Sequence, residues 1–134
     1  MLNPGLDPRE ARRDMPGMIE LSQEFGFDAA HYLGVGAAEN RRLHGHSFYV
    51  EVTLRGAVNP ATGILRDLGE IDTALKEIRA TLDHRLLNDI AELGMPTLEN
   101  ISRYIFTRAK AALPEVVRVK LRRPSYGQTC VYEG

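Results

Sequence analysis

From His44 to Arg55 the chain alternates without a break. His44, His46, Phe48, Val50, Val52 and Leu54 fall on one side, and Gly45, Ser47, Tyr49, Glu51, Thr53 and Arg55 on the other. Successive side chains of a strand point to opposite faces, so this run is a strand with one apolar and one polar face. The apolar face has to be covered, and the rest of the chain supplies the covering elements.

Residues Met18 to His31 place Ile19, Leu21, Phe25 and Phe27 on one parity, with Gln23 interrupting the row and Gly26 as a candidate bulge. Asn59-Pro60-Ala61-Thr62-Gly63 reads as a turn. Leu68, Ile71, Leu75, Ile78 and Leu82 recur at helical steps, and Asp67 is a candidate cap for that helix. Pro96-Thr97 opens a second helix with Leu98, Ile101, Ile105 and Ala109 as its stripe, and Pro114 ends it. Val117, Val119 and Leu121 alternate in a third strand, and Gly127 to Glu133 supplies a fourth around Val131. The order β-β-α-α-β-β predicts an α+β domain over 18–134: a four-stranded, mostly antiparallel sheet with two helices on one face. Residues 1–17, punctuated by Pro4, Gly5, Pro8, Pro16 and Gly17, read as an irregular N-terminal arm. Short sheet edges invite pairing with neighbouring subunits, so self-association is expected.

Composition narrows the function. The formal net charge is −1, and Arg12-Arg13, Arg41-Arg42 and Arg122-Arg123 are isolated pairs, so neither nucleic acid nor an anionic membrane is an expected partner. The single cysteine, Cys130, excludes an intrachain disulfide framework. No apolar run is long enough to span a membrane, and the N-terminus lacks the apolar segment of a signal peptide. The expected setting is cytoplasmic.

Three of the four histidines form a pattern. His44 and His46 share one strand face, and His31 ends the preceding strand. In an antiparallel pair the end of one strand abuts the start of the next, so the three imidazoles can converge. Three neutral imidazoles with an open fourth position make a catalytic type of zinc site, with the metal acting as a Lewis acid. His84 follows Asp83 in the interhelical loop. The pair reads either as a helix-end cap or surface pair, or as a proton relay in which the carboxylate orients the imidazole.

Phe27-Asp28-Ala29-Ala30-His31, Leu43-His44-Gly45-His46-Ser47-Phe48, Gly63-Ile64-Leu65-Arg66-Asp67-Leu68, Leu82-Asp83-His84-Arg85-Leu86-Leu87-Asn88 and Pro96-Thr97-Leu98-Glu99-Asn100 are similar to the successive motifs of the 6-pyruvoyltetrahydropterin synthase family. That family includes the 6-carboxytetrahydropterin synthases of queuosine biosynthesis. The resemblance runs from about Phe25 to the end of the chain. It implies the tunnelling fold, in which trimers close into a barrel and usually stack as hexamers. It implies a zinc-dependent lyase acting on 7,8-dihydroneopterin triphosphate or a related small molecule, with zinc on His31, His44 and His46. It also implies that Asp83 and His84 form the catalytic relay and that Thr97 helps hold the pterin.

Two departures from the family pattern bear on activity. The catalytic cysteine of a Cys-x-x-x-His-Gly-His segment is replaced by Asn40, whose carboxamide cannot act as a base. Glu39 is the neighbouring candidate base. Relatives that use a glutamate hold it closer to His-Gly-His, where Arg41 stands here. The family's pterin-anchoring glutamate is missing from Val117-Arg118-Val119-Lys120-Leu121-Arg122-Arg123-Pro124. Either Arg122 or Arg123 enters the pocket and favours an anionic group, or both lie on the surface and Glu133 or Glu99 fills the role. Three functions follow as expectations: the zinc lyase, a divergent paralogue with a non-pterin substrate, and a non-enzymatic zinc-containing binding module.

Overall fold

The computed structural model describes residues 17–134, so the arm expected over 1–17 lies outside the described residues apart from Gly17. The sheet has four strands: β1 (Met18–His31), β2 (His44–Ala57), β3 (Val116–Arg123) and β4 (Gln128–Glu133). They lie in the order β1-β2-β3-β4, each antiparallel to its neighbour. Helix α1 is a single turn (Ala38–Arg41), α2 spans Leu68–Leu82 and α3 spans Leu98–Ala112. The two long helices are the expected ones; α1 is an addition, too short to show apolar periodicity.

One face of the sheet carries the core. Phe27, Phe48, Val50, Val52, Leu54, Val119 and Leu121 pack with Ile71, Leu75, Ile78 and Leu82 of α2 and Ile101, Ile105 and Ala109 of α3. The expected stripes therefore face the sheet from one side, with two exceptions at their ends. Leu68 and Ile19 are exposed, because the first turn of α2 and the first residues of β1 project beyond the core.

Three local expectations need correction. Gly26 is not a bulge: β1 and β2 pair residue for residue from Met18↔Ala57 to His31↔His44. The irregularity lies between β2 and β3, where Thr53 pairs with Arg118 but Leu54 pairs with Val116. Val117 is thus the extra residue, and Val116 takes the core position that strict alternation assigns to Val117. An inserted residue shifts side-chain parity by one, which is why alternation read through a bulge names the wrong residue. Asp67 stands at the N-cap of α2 but makes no side-chain cap bond; its carbonyl accepts from the Glu70 and Ile71 N–H groups. The turn at Asn59 is as expected: its carbonyl accepts from the Thr62 and Gly63 N–H groups, and Gly63 takes the positive φ of 75° that a side chain disfavours.

A half-buried ion cluster ties the start of α2 to the entry of β3. Arg66 donates to Glu115 through Nη2 at 2.5 Å and Nε at 3.3 Å, and to Glu70 through Nη1 at 2.8 Å. Arg66 holds the Glu115 carboxyl below its ordinary value of 4.5. The stabilisation is complete above that ordinary value and is lost as pH falls through the lowered folded one. Glu115→Gln is therefore expected to lower the urea midpoint near about pH 7, with the difference from wild type closing on acidification. A pH-independent difference would remove the ion pair as the cause.

Candidate functional site

The continuous β1–β2 register sets His31 directly opposite His44, with His46 two residues further along β2. All three belong to the core-facing rows, at the end of the sheet where the helices no longer cover them completely. One ligand atom from each lies within 4.8 Å of the others. The rings meet edge to face, with centroids 4.6 Å apart for His31–His44, 5.0 Å for His31–His46 and 4.6 Å for His44–His46.

Backbone carbonyls orient two of the rings. His31 Nδ1 donates to the Pro96 carbonyl at 2.9 Å, and His44 Nδ1 donates to the Arg42 carbonyl at 2.6 Å. With the proton on Nδ1, the lone pair of each ring is at Nε2. His31 is 1% exposed, and its Nε2 is buried without a hydrogen-bond partner among the described residues. An orphaned buried nitrogen is costly unless something occupies it, and beside two further imidazoles it forms a donor set that could hold a metal ion. Burial lowers the pKa of His31, and burial followed by the Arg123 guanidinium brings His46 down to about 4. Both are therefore neutral near neutral pH, as ligands must be.

Arg123 is the fourth member of the cluster. Its Nη1 lies 3.1 Å from His46 Nε2, and its Nε and Nη2 donate to Gln128 Oε1. Its guanidinium lies 5.2 Å from the centre of the Tyr126 ring, which itself lies 5.3 Å from the His46 ring. Arg122 points the other way, 5.7 Å over the Tyr49 ring on the polar face. The two arginines are thus separated by strand alternation. Gln128 and Tyr126 are missed by inspection of the chain. Their signal is the Pro124–Tyr126 turn closed by left-handed Gly127, which pairs Gln128 with Arg123 across the hairpin.

Asp83 and His84 form a pair built on the free edge of β1. Asp83 Oδ1 accepts from the Asp28 N–H at 3.0 Å, and Asp83 Oδ2 lies 3.0 Å from His84 Nδ1 and 3.1 Å from Arg79 Nη2. The Asp28 N–H does most to lower the Asp83 pKa, with His84 and Arg79 adding to it. The His84 N–H donates to the Asp28 carbonyl at 2.7 Å, and the Ala30 N–H donates to the Arg85 carbonyl at 3.0 Å. His84 takes a φ of 57°, the left-handed region that a histidine seldom adopts. Its ring stays 78% exposed with Nδ1 toward the carboxylate, which leaves Nε2 as a proton acceptor facing solvent. An open cavity of about 590 Å³ is bordered by both His46 and His84, together with Asp28, Ala30, Gly45 and Ser47.

The remaining candidates are not drawn into this cluster. Glu39 is exposed on α1 and makes no hydrogen bond or ion pair with a described residue. Thr97 caps α3, its Oγ1 accepting from the Asn100 N–H at 3.1 Å, and Glu99 is exposed in the first turn of that helix. Glu133 pairs with Arg118 across the sheet, and Arg118 lies opposite Thr53. At about 3.3 Å per residue, Thr53 is roughly 23 Å along β2 from His46, too far for Glu133 to serve that pocket.

The family model described as 6-pyruvoyl tetrahydropterin synthase matches residues 20–134. A 6-carboxy-5,6,7,8-tetrahydropterin synthase of Synechocystis is 37% identical over 97 residues, covering 69% of this chain and 75% of that protein. A dihydroneopterin monophosphate aldolase of Pyrococcus furiosus is 37% identical over 94 residues, covering 70% and 77%. The solved 6-pyruvoyl tetrahydropterin synthase of Caenorhabditis elegans matches with a TM-score of 0.76 and 25% identity, covering 87% of this chain and 96% of that one. With its tunnelling fold and a family match across nearly every described residue, the chain belongs to the 6-pyruvoyl tetrahydropterin synthase family.

Proposed function

We propose that this chain is a zinc-dependent lyase acting on dihydroneopterin triphosphate or a closely related dihydropterin. The observation that carries the reading is the orphaned Nε2 of His31 beside His44 and His46. His31, His44 and His46 would hold the zinc, which would supply Lewis-acid polarisation of side-chain oxygens on the substrate. Asp83 keeps the His84 imidazole in one tautomer, and His84 Nε2 accepts a proton from the substrate side chain and returns it. Asn40 takes no part in proton transfer; Glu39, one residue away in the β1–β2 connection, is the candidate second base. Thr97 and Glu99 at the start of α3, outside the histidine cluster but next to the Pro96 carbonyl that orients His31, are the candidate contacts to the substrate ring. The free edges of β1 and β4 support assembly into trimers or stacked hexamers.

The test is turnover of dihydroneopterin triphosphate by the zinc-loaded protein, followed by mass spectrometry. His84→Ala is expected to lower kcat by about 10²–10⁴-fold with zinc content unchanged. Absence of product, together with absence of pterin binding by calorimetry, overturns the pterin reading. A wild-type rate in Glu39→Gln removes Glu39 as a base. A second reading, a paralogue acting on another small phosphorylated or carbonyl substrate, is favoured by the guanidinium of Arg123 at the histidine cluster. Zinc binding without turnover of any such compound would point instead to a binding module.

A further inference from the structure

We infer that Arg123 and the three-histidine site together form a two-point receptor for an oxyanionic group, a carboxylate or a phosphate, on the substrate. The inference rests on the metal reading above and goes beyond it to the chemistry of the ligand.

Arg123 has no carboxylate partner among the described residues. Its contacts are neutral: the Gln128 carbonyl, the His46 ring nitrogen and the Tyr126 ring face. Half-buried, the guanidinium has lost part of its hydration. A partly desolvated cation lacking a counter-ion is unfavourable, and an arriving anion relieves it. Gln128 holds the guanidinium in place through Nε and Nη2, and only one further donor is spent on His46. A guanidinium has five N–H donors, so two remain for an oxyanion.

The contact with His46 couples this receptor to the metal. Arg123 Nη1 points at the Nε2 lone pair of His46, so a metal taking that lone pair competes with the guanidinium for it. The guanidinium also repels a dication at short range. An oxyanion that contacts both cations relieves the repulsion. Anion and metal therefore bind with positive coupling, and the coupling is reciprocal. The neutral donor edge of a ring offers nothing to this guanidinium, since both sides are donors.

The test measures zinc affinity by competition with a chromophoric chelator, and anion affinity by calorimetry on the zinc-loaded protein. Inorganic phosphate and pyruvate are the probes, so the two arms distinguish a phosphate from a carboxylate receptor. In wild type, one of these anions is expected to tighten zinc about 10-fold, within the usual range of coupling. Arg123→Gln removes the charge. It is expected to bind zinc more tightly than wild type without anion, to lose the coupling, and to bind the anion about 10-fold more weakly. Arg123→Lys keeps the charge without the fork and is expected to fall between, which guards against a folding defect in the glutamine variant. Zinc binding with equal anion affinity in wild type and Arg123→Gln overturns the Arg123 receptor and leaves the metal site standing. Failure of the folded wild type to bind zinc stoichiometrically overturns both, and does so at the metal arm.

Discussion

Replacing His44 by alanine is expected to abolish stoichiometric zinc while leaving the protein folded. His44 is half-buried at the start of β2 and contributes nothing to the apolar core. Its ring is held by one carbonyl, that of Arg42, whose loss to solvent is tolerable at an exposed position. Two imidazoles cannot hold a dication as three do. The expected loss of affinity exceeds the about 10–100-fold cost of removing an outer hydrogen-bonding partner of a metal ligand. Metal analysis after exhaustive dialysis, with far-ultraviolet circular dichroism as the folding control, measures it. Unchanged stoichiometric zinc in His44→Ala would refute the three-histidine site. His31 is the poorer choice for this experiment. At 1% exposure and bonded to Pro96, its removal confounds ligand loss with a cavity.

Phe48→Ala is expected to be the most destabilising single change at the site end of the sheet. Phe48 is completely buried, stacked on Phe27 at 4.9 Å between centroids. Its ring also stands edge-on to His31 at 6.1 Å and His46 at 5.6 Å. Truncating a buried phenylalanine costs about 3–5 kcal/mol, a large part of the about 5–15 kcal/mol that holds a domain together. Tm is expected to fall by roughly 10–25 °C. Zinc is expected to bind more weakly although all three ligands remain, because the wall that positions two of them is gone. Calorimetric unfolding and chelator competition on the same sample measure the two effects. A Tm within about 2 °C of wild type would show that the ring is not the packing centre described here. Phe48→Leu, nearer in volume, is expected to cost much less.

Much of the site is local and so was legible in the chain. Side-chain parity along β2 is a property of extended backbone, and it placed His44 and His46 on the face of Phe48 and Val50 without reference to any other element. His31 ends β1 and His44 begins β2, and in an antiparallel pair the end of one strand abuts the start of the next, which sets the two opposite each other. The helical stripes and the Asn59 turn are local in the same sense.

What parity and turn chemistry left open depended on which row lies beside which. Arg122 and Arg123 are adjacent letters with opposite fates. Only the pairing of β3 with β2 sets the row of Val119, Leu121 and Arg123 next to the histidines and sends Arg122 over Tyr49. The bulge at Val117 misleads only at the start of that row, where Val116 rather than Val117 takes the core position. Docking of the Asp83–His84 turn on the edge of β1, with histidine in a left-handed conformation, is likewise made by hydrogen bonds between residues far apart in the chain. Local geometry determined which side chains share a face; long-range strand pairing and packing decided which of those faces meet, and with them the charge that stands beside the histidines.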